Sequence, residues 1–234
     1  MSGASQPSNL SGTFNFFPSL GEVTLNAFSR IRLRGPMVLA EHLHMAWMEA
    51  NLMQVEWSNK GPNLWKVSEQ VFDIGPQAAT YPIPSTAIMV LNVTIGTGDP
   101  PNEQELTITP MTRQEYTMQP NKMQQGRPTT FWYDRTISPT ITFWPWPNQI
   151  YHCHVWTYGQ QFDAVMRANM QLDVPYRWLD AAAAGLAARL AVHYAQDLEI
   201  ARKAMAKDAY DIAATQDTED GSIYLLPMVQ SYYD

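Results

Sequence analysis

His152, Cys153 and His154 form the tightest cluster of side chains able to ligate a metal or attack a substrate. In a strand, alternation puts His152 and His154 on one face and Cys153 on the other. Two imidazoles on one strand face occur at metal sites, but a third protein ligand completes such a site. None stands at a telling spacing, so a metal-dependent hydrolase built on His152 and His154 ranks last among the readings. Cys153 has no neighbouring base to activate it and reads as a small buried hydrophobe. His42 and His44 are two residues apart, whereas ligands on one helix face stand four apart, so both read as boundary side chains. Asp163, Asp173 and Asp180 make a carboxylate pair only in the sense that any acids do. The chain lacks the GxSxG, P-loop, GxGxxG and HExxH motifs. Trp144 and Trp146 could stack on a sugar as part of a glycan-binding or partner-binding module. The plainer alternative is that Pro145 and Pro147 end a strand and the indoles pack on its neighbours. Asp134 and Arg135 suit an ion pair within or between subunits. No catalytic, cofactor-binding or metal-binding set emerges, and no enzymatic activity or cofactor is expected.

The elements that would position these residues follow a helix–strand–helix order. Ser19 and Glu22 have capping-box spacing, and a helix is expected to about Leu33 with Val23, Ala27 and Ile31 buried. Gly35-Pro36 closes it and opens a second helix to Trp57, with Val38, Met45, Leu52 and Val55 expected inward. Trp65, Val67 and Val71 alternate with polar residues as a half-buried strand. Ala87–Ile95 is the strongest strand of the chain. A short strand at Glu105–Thr109 and a capped helical turn at Thr112–Met118 follow. Thr129–Tyr133, Thr140–Trp144 and Ile150–Tyr158 then read as sequential antiparallel strands.

Phe162–Leu172 returns towards helix. Val174–Thr218 reads as a helical hairpin with its corner at Gln196-Asp197, Asp173 and Asp197 being candidate caps. Leu179, Leu186, Leu190 and His193 mark one stripe, and Leu198, Ala201, Met205, Ala209 and Ile212 the other. Neither stripe can stay in water, so both must dock. The expected class is α+β: an α-helical bundle of about four helices (19–58 and 162–218), an inserted antiparallel β module (59–161), an N-terminal arm (1–18) and an extended C-terminal tail (219–234).

That tail, with Ile223, Tyr224, Leu225, Leu226, Met228 and Val229 around Pro227, is apolar without helical period. It packs on its own domain or crosses to a partner. The 234 residues carry a net charge of −7, which argues against tight phosphate-backbone binding but suits a passage through which DNA slides. One cysteine excludes an internal disulfide framework. Neither a membrane span nor a secretory signal is expected.

Three stretches resemble the head-to-tail adaptor, or connector, proteins of tailed bacteriophages, best described in short-tailed phages. They are the opening helix pair from Ser19 to Trp57, the Gly126–Asn148 stretch GRPTTFWYDRTISPTITFWPWPN, and the hairpin beginning VPYRWLDAAAAGLAARLAVHYA. The resemblance implies a structural virion protein of the neck, assembled in the host cytoplasm into a homo-oligomeric ring, commonly of twelve copies. It implies contact with the portal protein above and with nozzle, hub or fibre proteins below. Packaged double-stranded DNA would pass through the lumen without sequence-specific binding, and no membrane is involved. By the same resemblance the portal-binding candidates are Ile223, Tyr224, Leu225, Leu226, Pro227, Met228, Val229, Tyr232 and Tyr233. Trp144 and Trp146 are the candidate tail-side contacts.

Overall fold

The computed structural model describes residues 13, 15–61, 64–98, 103–167 and 169–217. It is an α+β protein in which buried apolar side chains gather in two clusters, one among helices and one between β-sheets.

Ser19 starts α1 (Leu20–Arg30) with the expected capping box: its N–H donates to Glu22 Oε2 at 2.8 Å, and the Glu22 N–H donates to its Oγ at 3.3 Å. Val23, Ala27 and Ile31 are buried as the spacing predicts. A single 3-10 turn at Gly35–Met37 precedes α2 (Ala40–Lys60), so the second helix begins after Pro36, not at it. The Leu39 N–H donates to His42 Nδ1 at 2.9 Å, which gives that imidazole a capping role.

Helix α4 (Leu179–Tyr194) is the centre of the helical cluster. Its alanines 181–184, 187, 188 and 191 are all buried, together with Leu186 and Leu190. The helix is apolar almost all round because α1, α2 and α5 (Glu199–Gln216) each pack on it. At Gly185 a Cβ would lie 2.7 Å from Met53 Sδ, so the Met53 side chain would have to shift to admit any side chain there. Trp178 is 1 % exposed and sits in a ring cluster with Trp57, Trp65 and Tyr210, at centroid distances of 5.1, 5.2 and 5.2 Å.

Five helical expectations need correction. Leu52 and Val55 of α2 do not face inward; Ala46, Ala50, Met53, Gln54 and Trp57 do. Met205 and Ile212 of α5 are exposed, while Ala213 is buried and Ala209, Tyr210 and Ala214 are half-buried. The alanine surface of α4 takes mainly small side chains and flat rings, with Met53 lying against the gap left by Gly185. His193 is exposed and lies 3.2 Å from Glu49 instead of joining the α4 core. Asp197 does not cap α5 but accepts from Arg32 Nη1 at 3.0 Å, and Asp173 accepts from Lys66 Nζ at 2.6 Å. The described residues of 162–172 form no helix. Their backbone is satisfied by α2 side chains: Trp47 Nε1 donates to Ala164 O at 2.7 Å, and the Ala164 N–H donates to Asn51 Oδ1 at 3.0 Å.

The strands are β1 (Val67–Ile74), β2 (Thr80–Pro82), β3 (Ala87–Thr97), β4 (Gln104–Thr107) and β5 (Thr109–Pro110). After α3 (Arg113–Met118), which has the expected Thr112–Glu115 capping box, come β6 (Gln125–Gly126), β7 (Thr130–Asp134), β8 (Thr140–Trp144), β9 (Trp146–Pro147) and β10 (Tyr151–Gly159). One sheet has the order β1-β10-β3-β4 and the other β2-β8-β7-β5, with β6 and β9 as a separate pair. Pairing is antiparallel except at β5–β7 and β6–β9. Ile74, Val93, Ile95, Cys153 and Val155 of the first sheet meet Phe131, Ile141 and Phe143 of the second, giving a sandwich core. The face of β1 differs from the expected one: Val71 pairs with His154 on the outer side, and Phe72 and Ile74 point inward.

The chain crosses between helices and sandwich twice, near Lys66 and near Gln160–Asp173. One carboxylate fastens both crossings. Asp173 Oδ2 accepts from Lys66 Nζ and, at 2.8 Å, from the Phe162 N–H, while the Asp173 carbonyl accepts from Trp65 Nε1 at 3.1 Å. The Lys66 ammonium also lies 4.0 Å over the Phe162 ring.

Gly185→Val should destabilise the fold by about 1–3 kcal/mol through overpacking against Met53 and Trp57, read as a lower urea midpoint with unchanged slope. An unchanged midpoint would show that α2 does not abut α4 at this glycine.

Candidate binding surfaces

The two ends of the sandwich differ. β10 ends beside the helices, where the Tyr158 hydroxyl donates to Ser58 O of α2 at 3.5 Å. The start of β10 and the end of β8 therefore lie at the far end. Trp144, Trp146 and Ile150 are gathered there, with Met123 close in sequence to the Asn121 carbonyl that accepts from Trp144 Nε1 at 3.2 Å. Both indoles are half-buried, whereas Ile150 and Met123 are 66 % and 71 % exposed. Trp146 Nε1 is buried without a hydrogen-bond partner. The tip thus presents a mixed aromatic and aliphatic surface, without a pair of free indole faces.

The outer face of the first sheet carries the histidines. His152 Nδ1 lies 2.7 Å from Asp73 Oδ1 and His154 Nδ1 lies 2.8 Å from Glu69 Oε1. Gly96 leaves the space that the Glu103 side chain fills, and Glu103 Oε2 lies 3.5 Å from His154 Nε2. Burial pulls the His154 pKa down, but the Glu69 hydrogen bond and the charges of Glu105, Glu103 and Glu69 outweigh it, leaving the imidazole above its ordinary value. Cys153, on the opposite face, has its thiol pushed up to about 12 by burial, so it is a neutral core side chain at physiological pH. Among the described residues no group of three or more His, Cys, Asp or Glu is placed to hold a metal ion. Among the same residues no helix is long and apolar enough to cross a membrane.

The end of α5 is fixed where the chain leaves towards residue 218. Asp217 pairs with Arg177 and accepts from the Leu64 N–H at 3.3 Å. The portal-binding candidates Ile223, Tyr224, Leu225, Leu226, Pro227, Met228, Val229, Tyr232 and Tyr233 lie outside the described residues.

Helices stand before and after the sandwich in chain order. A model of one family, described as SU10 adaptor protein, matches residues 23–228. The chain belongs to that family. It is a phage head–tail adaptor, and the family is structural. No curated protein matches the chain.

In the adaptor, the sequence reading brought Trp144 and Trp146 to notice, and the structure places them together at the far tip. It missed Met123 and Ile150, whose exposure is a property of the fold that their turn and strand-edge positions in the sequence do not announce. It also missed that the periodic stripes of α2 and α5 face outward. Their signal was present in the spacing, but spacing alone does not say which side of a helix the core lies on.

Because folding raises the pKa of His154, its protonated form stabilises the fold. That contribution is full below the ordinary imidazole value and is lost as pH rises through the raised folded value. The melting temperature should therefore fall more steeply between pH 6 and 8 in the wild type than in His154→Gln, and the His154 ring resonances should titrate above 6.5. Equal pH profiles would show that the carboxylates do not hold this proton.

Proposed function

We propose that the adaptor assembles as a ring, of twelve copies, beneath the portal at one capsid vertex and joins the packaged head to the tail. The helices form the body of the ring. The sandwich faces the tail, with Trp144 and Trp146 at the contacting tip. The C-terminal segment reaches the portal. The ring closes the filled head and forms part of the channel through which double-stranded DNA leaves, with no sequence-specific contact and no enzymatic step. This places the chain in the virion neck, after assembly in the host cytoplasm.

The observation that carries this reading is the extent of the family match. It continues past the last turn of α5 to residue 228 and so takes in the apolar Ile223–Met228 segment. The net charge of −7 supports a conduit that does not hold DNA. The exposed aliphatic residues on α2 and α5 support burial against other subunits.

Deleting residues 222–234 should leave the melting temperature of the free chain within a few degrees of the wild type and abolish co-sedimentation with purified portal rings. At roughly 25 cal/mol per Å², each ~55 Å² of apolar tail surface buried on the portal contributes about 1.4 kcal/mol, or tenfold in affinity. A truncated chain that attaches normally would reject the tail assignment.

A further inference from the structure

We infer that the outward faces of α2 and α5 are the two halves of one subunit contact, α2 of one copy packing on α5 of the next. The inference rests on the ring reading and specifies the surfaces that close it. Met45, Met48, Leu52 and Val55 of α2 follow each other at steps of three, four and three residues. Ala201, Met205, Asp208 and Ile212 of α5 do so at steps of four, three and four. This is the spacing of a narrow helix–helix seam, not of the broad apolar face that packs on a globular core. Most of both seams is left free within the chain: Leu52, Val55, Met205 and Ile212 are 46 %, 58 %, 55 % and 70 % exposed, while Met45, at the start of the α2 seam, is half-buried against the helical core. Both helices turn their opposite faces to α4, so the two seams point away from each other and cannot meet in one molecule.

The two halves complement each other. The α2 seam is made of large side chains throughout, whereas the α5 face has exposed small positions at Ala201 and Ala204 beside Met205. Charge agrees. Among the described residues Glu41, one helical turn before Met45, has no cationic partner, and Arg202, three residues before Met205, has no carboxylate. Arg202 instead rests its Nη1 3.2 Å from Met205 Sδ, with its Nε buried and unpartnered. A parallel register that sets Met45 beside Met205 brings Glu41 to Arg202 and Leu52 to Ile212. Pairing α5 with itself would gather two Asp208 carboxylates in an apolar seam; against α2, Asp208 meets an uncharged row. A contact between two different faces propagates from copy to copy and closes as a ring when the rotation permits. Four side chains a side fall short of the about 800 Å² per partner of a stable dimer, so the pairwise contact is weak and repetition round the ring secures it.

The experiment replaces the buried Cys153 with Ala and introduces Leu52→Cys and Ile212→Cys, alone and together, in the full chain under conditions where electron microscopy of the wild type shows rings. A short bis-maleimide should give a ladder of covalent oligomers from the double variant, monomer from either single variant, and dimer alone from their equimolar mixture. A dimer from one single variant would overturn the inference in favour of a two-fold contact. Rings that assemble without the ladder would overturn the face assignment while leaving the ring reading intact. A wild type that forms no ring with or without portal would overturn the ring reading and this inference with it. Leu52→Asp and Ile212→Asp, both at exposed sites, should keep the wild-type melting temperature within a few degrees and reduce the ring population more than tenfold; unaffected rings would also overturn the assignment.

Discussion

Everything in the helical half depends on how closely three helices approach α4. A helix sheathed in alanine lets its neighbours come near, chiefly where they too present small or flat side chains, with Met53 taking the one glycine gap. This condition decides which face of α2 and which face of α5 turn inward. It selects Ala46, Ala50 and the ring of Trp57 on one, and Ala209, Tyr210 and Ala213 on the other. The bulky aliphatics of both helices are left on the outside by the same selection. An exposed apolar surface is therefore a direct result of how the core is built.

The sandwich solves a different problem. Its two sheets bury a conventional aliphatic and aromatic interior, and the outer face of the first sheet is given to ion pairs between neighbouring strands. Glu69, Asp73 and the two histidines hold one another across β1 and β10. A charged outer face of this kind resists unwanted strand stacking, while the apolar residues kept at the far tip remain available for a chosen neighbour. An adaptor needs that division, because it must refuse most surfaces and accept two.

Much of the architecture was legible from residue order. The capping boxes at Ser19 and Thr112, the hairpin corner near Gln196, the strands around Ala87–Ile95 and Tyr151–Gly159, and the family resemblance all rest on local signals that tertiary packing reinforces. Faces were harder. The spacing of Leu52 and Val55, or of Met205 and Ile212, announces an amphipathic helix but is silent on whether the matching surface belongs to the same molecule. The face of β1 failed similarly, because Val71 and Phe72 are both plausible core residues and the register is set by pairing with β10. The segment 162–172 read as helical because its composition permits it; its backbone is instead claimed by Trp47 and Asn51, more than a hundred residues away. Of the candidate site, Trp144 and Trp146 were visible as an aromatic run, whereas the company they keep is a property of the fold.

The clasp at Asp173 has a mechanical meaning. Both passages of the polypeptide between the sandwich and the helices are anchored to a single acidic group, shielded by the Phe162 ring and reached by one ammonium. It does not act alone: the Tyr158 hydroxyl of β10 reaches Ser58 O of α2, and the Leu64 N–H reaches Asp217 at the end of α5. Losing this one carboxylate would release both passages at once, because the Lys66 ammonium and the Phe162 N–H share it.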